Sequence, residues 1–98
     1  MASRLVERAA RLLLVEDEPA VREACQEILS SLGYQVFATG SAEEARAFLG
    51  EFEGQVDLLV TDVIMPGMDG LELTRKLRTR EREKSLPRLP IVAGTAHV

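Results

Sequence analysis

Three acidic residues stand directly after two apolar stretches of the chain. Glu16 and Asp17 follow the run LLLV at 12–15, and Asp62 follows VDLLVT at 56–61. If both stretches are neighbouring parallel strands, the three carboxylates meet at one edge of the sheet. Gathered carboxylates repel one another and raise one another's pKa values unless a cation is present, and hard oxygen ligands favour Mg²⁺ or Mn²⁺. With such an ion bound, an aspartate can attack a phosphoryl group, because the cation neutralises charge on the transferring oxygens.

Each acid taken alone has a simpler interpretation. Most Asp and Glu residues cap helices or face solvent, and a single acidic residue needs no further explanation. The elements that surround the three acids therefore decide between one shared site and three unrelated charges.

Strands and helices are predicted to alternate along the chain. LLLV at 12–15 is typical of a strand that is buried on both faces, and YQVFAT at 34–39 is rich in aromatic and β-branched residues. VDLLVT at 56–61 and IVAGT at 91–95 predict two further strands. Because each right-handed crossover must pack back on the sheet, the order predicts an α/β fold, a parallel sheet with helices on both faces.

The first predicted helix begins at Pro19 and stops before Gly33, a residue that suits a left-handed cap. Its apolar residues recur at helical spacing and form a stripe. The stripe comprises Val21, Ala24, Cys25, Ile28, Leu29 and Leu32.

Capping patterns mark the start of the other two helices. Ser41 with Glu44 forms a capping box for the second helix, which is expected to continue until Gly50. Asp69 with Glu72 forms a similar pattern for the third helix. That helix fades into a charged stretch, which we expect to be a solvated end.

The composition indicates a small globular chain and excludes several classes of function. The 98 residues, 46% hydrophobic and 29% charged, suffice for one modest core, so we expect a single compact unit. A net charge of −4 provides no basic face for nucleic acid. The lone Cys25 fits a reducing compartment, and neither a membrane-spanning run nor a secretory pattern is recognisable. We therefore expect a cytoplasmic protein that contacts neither nucleic acid nor membrane.

Three motifs occur in the order typical of one protein family. LLLVEDEP, TDVIMPGMDG and PIVAGTA each stand at the end of a predicted strand. With these motifs, the chain resembles the receiver domain of response regulators in two-component signalling. The resemblance implies a flavodoxin-like, doubly wound parallel sheet with strand order 2-1-3-4. It also implies that residues 12–98 form the receiver domain and residues 1–11 an N-terminal arm or linker remnant.

The resemblance implies a role for each matching position. Asp62 would be the phosphoacceptor, and Glu16, Asp17 and Asp62 would bind Mg²⁺ or Mn²⁺ together with the backbone carbonyl of Ile64. Thr95 would be the switch residue, whose hydroxyl bonds to the phosphoryl group and pulls the loop after the fourth strand inward.

Part of the family pattern has no match in this sequence. Receiver domains continue through a fourth helix, a fifth strand and a fifth helix, which carry a lysine that pairs with the phosphoryl group and an aromatic switch residue. We therefore expect a C-terminally truncated domain with four of the five βα units. Its fourth strand would be an exposed apolar edge, which favours self-association between chains.

The predicted function is that of a phosphorelay receiver. Asp62 would accept a phosphoryl group from a sensor histidine kinase or a phosphotransfer protein, with Mg²⁺, and the result would be a population shift. We do not expect an enzyme beyond self-catalysed phosphoryl transfer and slow autodephosphorylation. One alternative is a receiver-like interaction module or inactive fragment that is not phosphorylated. Another is an aspartyl-phosphate phosphatase, which would need a second Asp where this chain has Ile64.

Overall fold

The computed structural model describes residues 9–62 and 70–94. Within them, strands and helices alternate in the order β1 (Arg11–Val15), α1 (Pro19–Ser31), β2 (Gln35–Thr39), α2 (Ala42–Glu51), β3 (Leu58–Asp62), α3 (Gly70–Lys84) and β4 (Ile91–Gly94). The strands form one parallel sheet in the order β2-β1-β3-β4. The predicted α/β class, the flavodoxin-like arrangement and the strand order are confirmed.

The register of the strands decides which side chains share a face of the sheet. Leu13 lies level with Phe37 on β2 and with Leu59 on β3. Leu59 in turn lies level with Ile91 on β4. Because side chains alternate along each strand, these residues share one face, and Leu14 and its partners point to the other.

The main core lies between the first face of the sheet and helices α2 and α3. The rings of Phe37 and Phe48 pack at its margin, with their centroids 5.1 Å apart. Aliphatic side chains fill the rest, because the chain contains few aromatic residues. The buried members are Leu13, Val15, Ala42, Ala45, Leu49, Leu59, Leu73 and Leu77.

Helix α1 packs on the second face, where it contacts β1 and β2. Leu14 is buried beneath it. Val92 on β4 is nevertheless 55% exposed, Ile28 on α1 is 61% exposed and Leu32, the C-cap residue of α1, is 69% exposed. No residue of α1 is fully buried. The apolar stripe predicted for this helix is present, but it is only partly covered because the helix lies over half of the sheet.

The end of α1 follows the prediction made from Gly33. Gly33 has a φ of 102°, a left-handed conformation that glycine adopts without steric cost. Its N–H donates to the carbonyl of Ser30 at 3.0 Å, and the N–H of Tyr34 donates to the carbonyl of Leu29 at 3.2 Å. These two bonds form a Schellman motif, which satisfies carbonyls that a helix end leaves without partners.

The capping box of α2 is present, but its predicted end is wrong. The N–H of Glu44 donates to the hydroxyl of Ser41 at 3.1 Å, and the Glu44 carboxylate accepts from the N–H of Gly40 at 3.0 Å. The helix continues one residue past Gly50. A glycine inside a helix costs about 1 kcal/mol relative to alanine, which the burial of Leu49 beside it offsets.

The charged end of α3 is helical to its last residue and is not wholly solvated. Arg78 donates to both carboxylate oxygens of Glu81, at 2.9 and 3.1 Å, and to the carbonyl of Leu89 at 2.8 Å. The N–H of Leu89 donates back to Glu81 at 2.8 Å. Burial alone would raise the pKa of Glu81, but the Leu89 amide and the Arg78 guanidinium outweigh it and lower that pKa. The network anchors the connector before β4, so the prediction of a solvated end is wrong here.

None of the helices in the described part of the chain has the length and apolarity that a membrane crossing requires. The proposed cap residue Asp69 lies outside the described residues.

Candidate functional site

Glu16, Asp17 and Asp62 meet at the carboxyl edge of the sheet. Asp62 is the last residue of β3, Glu16 directly follows β1, and the two strands are paired neighbours. One carboxylate oxygen from each of the three residues lies within 4.8 Å of the other two. The fold therefore brings Asp62 to Glu16 and Asp17, from which it is separated by more than forty residues in the chain.

Two of the three carboxylates are largely removed from water. Glu16 is 4% exposed and Asp62 is 5% exposed, whereas Asp17 is half-buried. Burial raises the pKa of Glu16 above its usual value, and the negative charges of Asp62 and Asp17 raise it further, although a hydrogen bond from the Glu18 N–H opposes the change. A bound cation would relieve this concentration of negative charge.

The backbone and the side chain of Glu16 are both held in place. Its N–H donates to the carbonyl of Thr39 at 3.0 Å, which continues the β1–β2 ladder past the end of β1. Its carbonyl accepts a bond of 2.9 Å from the Nη1 of Arg22. Its Oε2 accepts a hydrogen bond of 3.1 Å from the N–H of Glu18. Glu18 is the N-cap residue of α1, and its own side chain forms no capping bond. The Glu16 carboxylate thus caps this helix while facing the other two acids.

Neither Arg22 nor Thr39 was singled out from the sequence. Thr39 also donates its hydroxyl to the carbonyl of Leu14 at 2.8 Å, which ties the end of β2 to β1. An arginine inside a helix and a threonine at a strand end are common residues. The turn from β1 into α1 places Arg22 beside Glu16, and the β1–β2 register places Thr39 there. The sequence alone therefore contains no signal that would identify them.

Asp62 ends the strand that lies between β1 and β4. Its carbonyl accepts a bond of 3.0 Å from the hydroxyl of Thr61, and Asp62 lies level with Gly94 on β4. Thr95 and Ile64, which were predicted to be the switch residue and a backbone ligand, lie outside the described residues. Their roles remain predictions from the sequence.

The chemistry of the three donors fits a hard divalent cation. Mg²⁺ prefers oxygen ligands and is commonly held by one or two carboxylates together with water, and Mn²⁺ accepts the same ligand type. The cluster consists of carboxylates alone and contains neither a thiolate nor an imidazole, the ligands that typical Zn²⁺ sites provide. Glu16, Asp17 and Asp62 are therefore suited to hold Mg²⁺.

Known proteins share both the sequence pattern and the fold. The family model of the response regulator receiver domain matches residues 12–98. The transcriptional regulatory protein AruR from Pseudomonas aeruginosa is 48% identical over 73 residues, which cover 71% of this chain and 30% of AruR. The chain thus spans about a third of the length of this relative.

Two solved structures are similar to this chain. The response regulator protein TrrA from Thermotoga maritima, in complex with Mg²⁺-BeF, has a TM-score of 0.74 and 34% identity, covering 90% of this chain and 70% of that one. The receiver domain of the histidine kinase CKI1 from Arabidopsis thaliana, complexed with Mg²⁺ and BeF₃⁻, has a TM-score of 0.79 and 30% identity. The match covers 93% of this chain and 68% of that one. Sheet order, motifs and these matches agree, and the chain belongs to the response regulator receiver domain family, the signalling module of two-component systems.

Proposed function

We propose that this chain is a phosphoacceptor receiver in which Asp62 accepts a phosphoryl group from a sensor histidine kinase or a phosphotransfer protein. The observation that carries the proposal is the convergence of three carboxylates within 4.8 Å at the carboxyl edge of the sheet. Asp62 matches the family's acceptor position, whereas the carboxylate of Glu16 is engaged as the cap of α1. The module would lie within residues 12–98, with residues 1–11 as an arm, in the cytoplasm.

Glu16, Asp17 and Asp62 would hold Mg²⁺, or Mn²⁺ in its place, and the family pattern adds the backbone carbonyl of Ile64. When bound, the cation neutralises charge on the transferring phosphoryl oxygens. A carboxylate oxygen of Asp62 bonds to phosphorus as the bond from phosphorus to the donor imidazole nitrogen breaks. The freed imidazole nitrogen then takes a proton from solvent. The complexes of TrrA and CKI1 with Mg²⁺ and a beryllium fluoride support this proposal.

The phosphoryl group would be sensed at β4. Asp62 lies level with Gly94, and Thr95 is the next residue along the chain. A hydroxyl at that position could bond to a phosphoryl oxygen and draw the following loop toward Asp62. The outcome would be a shift between two conformations and not the release of a product.

Beryllofluoride, a phosphoryl analogue, tests the proposal in the presence of Mg²⁺. We expect it to shift the amide NMR signals at the carboxyl ends of β1, β3 and β4 in the unsubstituted chain. Asp62→Asn should abolish the response, whereas the control Glu43→Gln, which neutralises an exposed acid on α2, should retain it. An undiminished response of Asp62→Asn would remove Asp62 from the mechanism, and steady turnover of a small phosphate ester would instead favour a phosphatase.

The edge of the sheet at β4 favours a second property, self-association. Within the described residues β4 pairs with β3 alone, and Val92 on it is 55% exposed. A strand edge offers its N–H and C=O groups to another chain, and an exposed apolar side chain adds buried area to such a contact. We propose that the 98-residue chain self-associates through β4, independently of phosphorylation.

Sedimentation equilibrium tests this property with two matched variants. Val92→Lys places a charge on the edge strand, and Leu71→Lys places the same charge on α3 at a residue with a similar exposure of 53%. We expect Val92→Lys to contain a larger fraction of monomer than the unsubstituted chain. Leu71→Lys should have the same monomer fraction as the unsubstituted chain. A chain that is monomeric at all concentrations, or equal effects of the two variants, would contradict self-association through β4.

A further inference from the structure

Arg22 joins the start of α1 to the end of β1. It lies in the first turn of the helix, which itself contains no acidic residue but directly follows the acidic residues Glu16, Asp17 and Glu18. The side chain is half-buried and reaches back to the end of β1, where its Nη1 donates a bond of 2.9 Å to the carbonyl of Glu16. This bond spans the turn between β1 and α1.

Gly40 provides the space that the guanidinium occupies. A Cβ at this residue would lie 3.0 Å from the Nη1 of Arg22, which is tighter than most Cβ contacts, and 3.7 Å from its Cζ, which is an ordinary contact. The φ of Gly40 is not in the left-handed region, so its backbone conformation does not require glycine. The Glu44 carboxylate fixes the Gly40 N–H at 3.0 Å. A side chain at position 40 would therefore press on the Nη1 that donates to the Glu16 carbonyl.

The bond from Arg22 fixes the peptide unit that joins Glu16 to Asp17. A peptide unit is planar, so holding its carbonyl sets the direction in which the chain continues to the next residue. The Thr39 carbonyl holds the other side of Glu16 through its N–H. Together these contacts hold the backbone from which the side chains of Glu16 and Asp17 extend.

We propose, building on the proposed function, that Arg22 is a positioning residue for the metal-binding acids and that Gly40 is small in order to admit it. Two effects of removing the guanidinium have opposite signs. The loss of a nearby positive charge would tighten the binding of a cation. The loss of the hydrogen bond would loosen the acids and weaken that binding. The direction of the change in Mg²⁺ affinity therefore separates positioning from simple electrostatics.

Isothermal titration with Mg²⁺ measures that direction. We expect Arg22→Ala to raise the Kd for Mg²⁺ about tenfold, which corresponds to roughly 1.4 kcal/mol. Arg22→Lys keeps the charge but carries its donors on one nitrogen in place of the planar fork, so it should restore part of the affinity. Arg46→Ala, a matched change of charge on the exposed side of α2, should leave the Kd unchanged.

Two further measurements address the contact itself. In metal-free protein, the Glu18 amide, which donates to the Glu16 carboxylate, should exchange its hydrogen faster in Arg22→Ala than in the unsubstituted chain. Gly40→Ala should raise the Kd for Mg²⁺ severalfold by displacing the guanidinium. In a protein that already carries Arg22→Ala, the same substitution should not raise the Kd further.

Unchanged or tighter Mg²⁺ binding by Arg22→Ala, or additive effects of the two substitutions, would overturn the positioning role. Should Arg22→Ala fail to fold, Arg22→Lys and Gly40→Ala provide the same comparison. An unsubstituted chain that does not bind Mg²⁺ would overturn the proposed function together with this inference. A chain that binds Mg²⁺ and keeps its affinity in Arg22→Ala would overturn the inference alone.

Discussion

Replacing Glu16 with glutamine should stabilise the metal-free protein and weaken its response to Mg²⁺. The substitution keeps a side-chain oxygen that can accept the Glu18 N–H, so the cap of α1 is retained. It removes one of three carboxylates that lie within 4.8 Å of one another. At that separation two unit charges repel each other by about 3.5 kcal/mol at an effective dielectric constant near 20, and by about 0.9 kcal/mol in water. Because Asp17 is half-buried and partly screened, we expect a net gain of about 1 to 2 kcal/mol in the free energy of unfolding.

The gain should depend on pH in a defined direction. Burial and the neighbouring charges raise the pKa of Glu16 above its usual value of 4.5. The stability that Glu16 contributes is therefore fully present below about pH 4.5 and is lost as the pH rises through its folded-state pKa. Glutamine does not titrate, so the advantage of Glu16→Gln should be small in acid and complete at neutral pH.

Urea unfolding in the presence of a chelator measures this advantage at acidic and neutral pH. For a domain of this size, 1 kcal/mol corresponds to a melting shift of about 4 to 8 °C, which gives an independent check. Mg²⁺ at a hundred times its Kd should then stabilise the unsubstituted chain by about 2.7 kcal/mol and Glu16→Gln by much less. Glu43→Gln serves as the control for an exposed acid. A Glu16→Gln protein that is less stable at neutral pH, or an advantage that does not change with pH, would refute the reasoning.

Three further predictions concern the contacts that hold the fold together. Glu81→Gln should lower the free energy of unfolding by about 1 to 3 kcal/mol at neutral pH, since it breaks a half-buried network. Because the pKa of Glu81 is lowered, this loss should shrink in urea titrations as the pH falls through that pKa. A loss that does not depend on pH would contradict the role of the Glu81 charge. Leu73→Ala should lower the free energy of unfolding by about 2 to 5 kcal/mol in the same assay. Leu71→Ala, at a residue that is 53% exposed, should lower it by well under half of that amount, and equal losses would contradict the assigned core. Gly33→Ala should cost about 1 kcal/mol in thermal melts, because alanine is strained at a φ of 102°, and an unchanged melting temperature would argue against the Schellman end of α1.

The strands and the meeting of the acids could be predicted because they depend on local patterns and one topological rule. A continuous apolar run such as LLLV needs cover on both faces, and a parallel sheet places the ends of neighbouring strands together. Glu16 and Asp62 could therefore be assigned to one edge although they are far apart in the chain. The Ser41 cap and the Gly33 end are equally local, since each depends on a few neighbouring residues.

The remaining features depend on contacts that the sequence does not reveal. The partial exposure of Ile28 depends on how much of the sheet α1 covers, and periodicity indicates only which residues share a face. The helix continues through Gly50 because tertiary packing outweighs the intrinsic propensity of one residue. Arg22 bonds to the carbonyl of Glu16 and the Arg78–Glu81 pair bonds to Leu89, and each partner lies across a turn or connector whose path the sequence pattern does not give.

Identification of the phosphorylated residue tests the central proposal most directly. The unsubstituted chain and Asp62→Asn are incubated with acetyl phosphate, with and without Mg²⁺, and their peptides are compared by mass spectrometry before and after hydroxylamine treatment, which cleaves acyl phosphates. We predict one phosphoryl group on the peptide that contains Asp62, present only with the cation, removed by hydroxylamine and absent from Asp62→Asn. An unmodified Asp62 peptide, or equal modification of Asp62→Asn, would contradict a phosphoacceptor role for Asp62.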